Sequence, residues 1–491
     1  MLPGPQAATW VVVETATSAV FSLVALLCVA RVIGPQQAGL GALAASAFLL
    51  VEGPASMLFG DALMQRRELT REHIASAFWV TLAVSVAAAV ALALLAPAIA
   101  YVSGLPAMTP MLQTLALLLP LSGLAGMFSG LALRERWYRL LALRTLLGQP
   151  LALVCGIVAG LQGAGAWALV VQQVVASLVG FVVMALWFRD WRAVRQSPRV
   201  DRPALRELWR VAGPQVSALV VMTGRYRAFL LVLGLVSSEL VVAATHVAFR
   251  MVDVAGSIVV SAIGRLAAPR LAALQHSGSA LSQAFGMLSR WQSLGGLPVA
   301  LGLAVVAPRL IEAMMGPEWA SAGPPAQVVG ISAALWIAGG PVMALWLALG
   351  RTRMNLLVQA AACVLPLALL AMLRPNDPAV AAWCWASTAL LLPAAQLHLA
   401  LRALQRGWLW LLAWMAPALL AALAMLVGAV AMQAATTGWQ APYALAATVA
   451  AGALGWALAL ALWRLLNPGS QDWLSLAAAS ASGGSIGGER E

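Results

Sequence analysis

The sequence predicts an all-α polytopic membrane protein, and three observations predict it. Of the 491 residues, 62% are hydrophobic and only 9% charged, with a mean hydropathy of +0.89. A soluble fold of that length has no interior large enough to hide so much apolar surface, so the solvent must be lipid. Apolar runs of about 18 or more residues recur from end to end, each long enough to cross a bilayer core as a helix. The charges, finally, are gathered between those runs. Helices satisfy their own backbone groups in lipid, and the runs are not alternating ten-residue segments, so a β-barrel is excluded.

Apolar windows separated by Gly, Pro or charge give about fourteen helices of roughly twenty residues. Their centres fall near residues 20, 50, 88, 121, 150, 176, 223, 252, 300, 337, 363, 390, 420 and 453. The arginines test this division. Even-numbered connections hold Arg66, Arg67 and Arg71, then Arg134, Arg136, Arg139 and Arg144, then seven from Arg189 to Arg210, then Arg265, Arg270 and Arg290, then Arg351 and Arg353, then Arg402 and Arg406. Odd-numbered connections hold only Arg31, Arg309 and Arg374. Cationic loops stay on the cytoplasmic side, so both termini are expected there. The expected organisation is an N-terminal lobe of six helices (1–188), a basic cytoplasmic linker (189–210), a second six-helix lobe (211–402) related to the first by pseudo-symmetry, two further helices (403–466) and a Ser/Gly-rich, disordered cytoplasmic tail (467–491). The linker reads as amphipathic, basic pieces resting on anionic headgroups.

The N-terminus, "MLPGPQAATWVVVETA", has neither a basic leader nor a small-residue cleavage site before its first apolar run, which reads as a retained helix. Cys28, Cys155, Cys363 and Cys384 all lie inside apolar runs and read as packing residues. Every one of the 29 basic residues is arginine, and the net charge of +12 follows from loop arginines, with no nucleic acid implied. Without lysine there is no "GxxxxGK[ST]" loop; "HExxH" and paired-cysteine motifs are absent too, so no catalytic residue, metal site or cofactor is expected.

A weak internal repeat supports two lobes. "TPMLQTLALLLPLSGLAGMFSGLALRERWYRLLAL" aligns without gaps on "GPPAQVVGISAALWIAGGPVMALWLALGRTRMNLL", matching Pro110 with Pro324, Gln113 with Gln327 and Arg139 with Arg353. A six-plus-six arrangement would put a substrate path between the halves, as in secondary transporters.

The stretch "CVARVIGPQQAGLGALAASAFLL", followed by "LMQRRELTREHIASAFW", resembles the N-terminal signature of bacterial polysaccharide transporters of the Wzx (WzxC) type, within the multidrug/oligosaccharidyl-lipid/polysaccharide (MOP) flippase superfamily. "LRERWYRLLALRTLLGQP", "GAGAWALVVQQVV", "THVAFRMVDV" and "MMGPEWASAGPPAQVVGI" continue the likeness in order, over roughly residues 10 to 400. The resemblance implies a flippase, not an enzyme, that moves undecaprenyl-pyrophosphate-linked sugar repeat units from the cytoplasmic to the periplasmic leaflet of the bacterial inner membrane, for exopolysaccharide or O-antigen synthesis. A polysaccharide polymerase and a chain-length regulator are the partners it suggests. Relatives commonly carry an acidic residue near the position of Ala228, where this chain reads "GRYRAFLLVLG", so no ion-coupling role is carried over to the seventh helix.

Within that stretch, Arg66, Arg67 and Arg71 read as orienting charges and Thr70 as a helix N-cap with His73 at the third position. Charges inside spans are costly and default to functional readings. Glu14 heads a face with Ser18 and Ser22 on the first helix; Glu52 and Ser56 flank the Gly53-Pro54 kink on the second, with Asp61 near its cytoplasmic end. Arg225 and Arg227 lie on the seventh helix, and His246, Arg250, Asp253 and Ser257 share one face of the eighth. Arg225, Arg227 and Arg250 are the expected substrate contacts, because a guanidinium stays charged and binds phosphate oxygens in a fork. Glu14, Glu52, Asp61 and Asp253 are expected cavity or ion-coupling groups; charge neutralisation and helix-end satisfaction are equally open to them. Two other functions compete: a multidrug or cation exporter of the same superfamily, whose cavity should be acidic and aromatic, and a membrane polymerase or ligase, which would need a large periplasmic loop.

Overall fold

A computed structural model describes residues 5–66, 68–188 and 200–467. Arg67, most of the basic linker (189–199) and the tail from 468 onward, with its expected disorder, lie outside the described residues. The described chain is helical, with no strand. It packs as two compact units, one of Met1–Val254, Ile311–Ala326 and Gln359–Ser387, the other of Ala255–Leu310, Gln327–Val358 and Thr388–Glu491.

Helix α1 runs Pro5–Ser56 and is broken at Gly34, whose φ of 78° is available to glycine and whose neighbour Pro35 removes a backbone donor. The break makes room for two of the expected spans in one continuous element. A short α2 (Gly60–Gln65) follows, then α3 (Arg71–Val102), α4 (Met108–Ala116), α5 (Leu119–Arg134), α6 (Tyr138–Leu161) and α7 (Trp167–Trp187). Beyond the linker come α8 (Arg202–Val236), α9 (Glu239–Ala273), α10 (Gly278–Met315), a 3-10 turn at Pro317–Ala322, α11 (Gly323–Ala338), α12 (Val342–Ala348), α13 (Thr352–Leu373), α14 (Pro378–Ala403), α15 (Trp408–Ala435) and α16 (Ala441–Leu466).

Each of the fourteen expected centres falls in a helix, but fewer separate spans pass a test of length and apolarity. Ten described helices do, eleven if the bent pair α4–α5 counts as one span. The difference from fourteen has two sources. The centres at 20 and 50 share the continuous stretch Val20–Gln65, and those at 223 and 252 fall in α8 and α9, which include side chains outside those described and so offer no uninterrupted described stretch of 18 residues.

The 214-residue repeat reappears in the backbone. Helix α5 ends at 134 and α12 at 348; α6 begins at 138 and α13 at 352. The intervening turns carry left-handed residues at the matching positions, Arg136 (φ 59°) and Gly350 (φ 70°). Their hydrogen bonds match as well, Trp137 N to Ala132 O and Arg351 N to Trp346 O, both 2.8 Å. This turn closes helices elsewhere in the chain too; the common register is what marks the repeat.

The three arginines that break the charge alternation each serve a helix end. Arg31 donates to the Met314 carbonyl at the end of α10 (2.9 Å), Arg309 donates to the Gln433 carbonyl near the end of α15 (2.7 Å) and to Thr436 Oγ1 (2.9 Å), and Arg374 is the left-handed residue that follows α13 (φ 43°). Cations at helix C-termini satisfy carbonyls that the helix leaves over.

In the first unit, the end of α1 and the start of α2 meet α5 at backbone contact: a Cβ on Gly126 would collide with the Ser56 carbonyl oxygen, and one on Gly130 with the Gly60 backbone. Around this crossing an aromatic core forms, with Phe128 stacked on Phe188 (4.4 Å between centroids) and Phe78, Leu63 and Leu131 packed against them. The second unit has its own core of Phe285, Leu288, Leu345, Trp346 and Leu401.

Candidate functional site

Six ionisable side chains of the first unit form one polar network within the apolar part of the chain. Arg144, two turns into α6, pairs with Glu14 of α1 (Nη2 to Oε1, 3.6 Å) and donates to Ser129 Oγ of α5 (2.9 Å). The pair is about 30% exposed, so it holds two charges largely out of solvent. Glu52, also on α1, lies beside the hydroxyls of Ser56 and Ser122 and within electrostatic reach of both Arg227 and Arg144. Its position follows from the Gly53-Pro54 step, where Pro54 lacks the N–H of an ordinary helical residue and Ser56 Oγ donates to the Gly53 carbonyl (3.0 Å). On α9, Arg250 pairs with Asp253 three residues on (3.4 Å) and reaches Ser22 of α1 with its other nitrogen. Arg227 lies within electrostatic reach of Arg250, Asp253 and Glu52. The carboxylates and guanidiniums therefore alternate, Glu14, Arg144, Glu52, Arg227, Asp253 and Arg250, and their formal charges cancel.

Arg225 belongs to a different surrounding. Its guanidinium lies over the Trp385 ring at 4.3 Å, and Trp385 meets Phe249 and Phe229 edge-on at 4.8 and 5.2 Å. The attraction of a cation for the ring face offsets part of the cost of holding that charge in an apolar helix. Beside it Tyr226 OH and His246 Nδ1 are 2.7 Å apart. Arg225 and Arg227, two residues apart on a helix, thus lie over different rings, Trp385 and Tyr226 (4.3 and 5.2 Å). Asp61 is not joined to the network by any hydrogen bond or ion pair among the described residues; it is exposed in the first turn of α2, where the helix dipole favours an anion. The side chain of Ser257 lies outside the described residues.

Sequence reasoning missed Arg144, which it assigned to a cytoplasmic connection. The signal was present: "YRLLALRTLLGQP" is an uninterrupted helical pattern from Tyr138, which carries the arginine well inside the helix.

A second cluster sits where the linker ends. The Arg66 guanidinium bonds Glu207 of α8, and His73 Nε2 is 3.4 Å from the same carboxylate. His73 is held from its other side by Thr70 Oγ1 (2.7 Å), within the capping box that opens α3. Asp201, the N-cap of α8, accepts from Ala204 N (2.9 Å) and donates its own N–H to Ser76 Oγ (2.9 Å). The hydrogen bond from Arg66, then that with His73, holds the Glu207 carboxyl below its ordinary range. Arg134 closes the cluster by donating to the carbonyls of Leu63 (3.2 Å) and Arg66 at the end of α2.

Long apolar helices, a broken first element and charges gathered inside one unit define a multi-pass membrane protein, and its fold is that of the MOP superfamily. The structure titled lipid II flippase MurJ, in an inward closed conformation, aligns with a TM-score of 0.73 over 93% of this chain and 99% of its own, at 9% identity. An inward-facing multidrug resistance MATE family transporter of the MOP superfamily aligns with a TM-score of 0.64 over 79% of this chain and 94% of its own, at 13% identity. At such identities the likeness is one of fold alone. The chain itself belongs to the polysaccharide biosynthesis protein family, whose model matches residues 28–324. It is 24% identical over 323 residues to the succinoglycan biosynthesis transport protein ExoT of Rhizobium meliloti (strain 1021), an alignment covering 64% of this chain and 63% of that protein. It is 22% identical over 351 residues to the lipopolysaccharide biosynthesis protein WzxC of Escherichia coli (strain K12), covering 70% of each.

Proposed function

We propose that this protein is a flippase for undecaprenyl-pyrophosphate-linked oligosaccharide repeat units, carrying them from the cytoplasmic to the periplasmic leaflet of a bacterial inner membrane for exopolysaccharide or O-antigen synthesis. The observation that carries this reading is the set of arginines held inside long helices in a chain of the polysaccharide biosynthesis family. Such a substrate has a charged pyrophosphate and a polar glycan that cannot cross hydrocarbon, and a lipid tail that should remain in it. Arginine suits the pyrophosphate because its planar fork meets two phosphate oxygens at once and never loses its charge. In this reading Arg225, Arg227 and Arg250 contact the substrate, Glu14, Glu52 and Asp253 line the same cavity or couple ions, and Asp61 marks its cytoplasmic end. The two six-helix lobes of 1–188 and 211–402, joined through the linker, alternate access around the cavity, while the last two helices (403–466) and both cytoplasmic termini complete a chain of fourteen spans. A polymerase and a chain-length regulator act on the delivered units.

Deleting the gene should abolish an exported polysaccharide while lipid-linked repeat units accumulate on the cytoplasmic side. Single repeat units displayed outside the cell would instead mean that transport is intact and that the chain polymerises or ligates. A deletion strain that is merely drug-sensitive, with its polysaccharide unchanged, would support the exporter reading.

A further inference from the structure

The arginines inside the helices of the first unit are met in two ways. Arg144 and Arg250 are met by carboxylates: Arg144 pairs with Glu14 (3.6 Å) and bonds Ser129 Oγ (2.9 Å), and Arg250 pairs with Asp253 (3.4 Å) and reaches Ser22. Arg225 is met by a ring. Its guanidinium lies over the Trp385 indole at 4.3 Å, and it makes no hydrogen bond or ion pair among the described residues. The ionisable group that bears on it electrostatically is the Cys363 thiol of α13, not a carboxylate.

The two arrangements leave different things for a ligand. A carboxylate offsets the charge of its arginine and occupies N–H donors, so an incoming phosphate must compete with it. An indole face attracts the cation through its quadrupole, adds no formal charge and leaves the guanidinium donors without a carboxylate to satisfy them. Arg225 therefore keeps its full charge and its donors uncommitted.

The indole is itself held. Trp385, half-buried on α14, meets Phe249 of α9 edge-on at 4.8 Å and Phe229 of α8 at 5.2 Å, and those two rings meet each other at 5.6 Å. Phe229 is fully buried and lies one turn after Arg225, on the same face of α8. The segment "RYRAF" thus supplies both the cation and one wall of the slot that fixes the ring beneath it. Three helices define the surface on which a long, flexible side chain rests. Holding that side chain in place before a ligand arrives removes an ordering cost from binding.

We propose that Trp385 is a positioning residue for the lipid-linked substrate, holding Arg225 in place with its donors free so that the pyrophosphate meets a guanidinium already set to receive it. This rests on the reading that Arg225 contacts the substrate. Trp385 acts through Arg225 and need not touch the ligand itself.

The test measures affinity of the purified full-length chain for undecaprenyl pyrophosphate by native mass spectrometry, with folding checked by thermal unfolding, in a double-mutant cycle of Trp385→Leu and Arg225→Gln. Trp385→Leu should weaken binding about five- to tenfold, and Trp385→Phe less, since a smaller ring still offers a face. Arg225→Gln alone should weaken binding while Arg227 and Arg250 keep it measurable. In that background neither change at 385 should have a further effect, because glutamine brings no cation for the ring to hold. A ring that merely supported the fold would weaken binding by the same factor in both backgrounds, and that result overturns the proposal; so does a folded Trp385→Leu that binds like the wild type. Should Trp385→Leu fail to fold, the cycle runs with Trp385→Phe, whose loss should likewise vanish beside Arg225→Gln. An Arg225→Gln variant that binds as tightly as the wild type overturns the reading of Arg225 as a substrate contact, and this proposal with it.

Discussion

At the scale of single residues, the question is what holds an arginine inside an apolar helix. A charged side chain at the bilayer centre costs roughly 2.5–3.5 kcal/mol on insertion scales, and Arg144, Arg225 and Arg227 each offset part of such a cost differently: by a carboxylate, by an indole face, and by the adjacent Tyr226 ring. Arg144→Gln strands Glu14 and should lower stability by about 1–3 kcal/mol, the cost of a partly buried group left without its partner. The double variant Glu14→Gln/Arg144→Gln should recover much of the loss, because neither charge is then stranded; thermal unfolding in detergent checks both. Arg225→Lys should fold and express but transport weakly, since lysine keeps the charge and loses both the phosphate fork and the planar stack on Trp385. Arg225→Ala should express and transport almost nothing. Alanine variants at 225 and 227 that lose expression yet transport normally per molecule would mark both as structural struts. The sequence made these arginines visible because charge is rare in its helices. It could not show their partners, since Trp385 lies 160 positions from Arg225 and Glu14 lies 130 from Arg144, and no local pattern relates them.

At the scale of elements, the Arg66, His73 and Glu207 cluster ties the start of α8 to the turn between α2 and α3. The motif "LTREH" was legible as a helix start, and Thr70 and His73 do form a capping box; that His73 also faces Glu207 depends on where the chain returns after the linker. The bonds to Arg66 and His73 lower the Glu207 carboxyl in the folded protein, so the sign of its pH dependence is fixed. Its contribution to stability is fully present above the unfolded carboxylate value of about 4.3 and is lost as pH falls through the lower folded value. The stability gap between wild type and Glu207→Gln should be constant above about pH 5 and close on further acidification. A gap that widens as pH falls would show that the carboxylate is not held by these partners.

At the scale of the whole molecule, hydropathy and arginine placement made the fold class legible, because the bilayer imposes one length and one charge rule on every span. What they left unread were the places where a span is not a simple apolar rod. The first two spans form one element bent at Gly34, and the fourth is bent between α4 and α5. Fourteen spans and two cytoplasmic termini are expectations of the sequence that topology mapping checks. Reporter fusions after residues 105, 163 and 439 fall in the turns α3 to α4, α6 to α7 and α15 to α16, and should read periplasmic. Fusions after 70, 200 and 405 fall just before α3, just before α8 and between α14 and α15, and should read cytoplasmic. The decisive pair is 200 with 405. Between them lie α8 and α9, so if either of these charged helices failed to cross while the other did, the two sites would report opposite sides and the six-plus-six arrangement would fall. If neither crossed, 200 and 405 would still agree, and a further fusion after residue 237, between α8 and α9, separates the cases: periplasmic if both helices span, cytoplasmic if neither does.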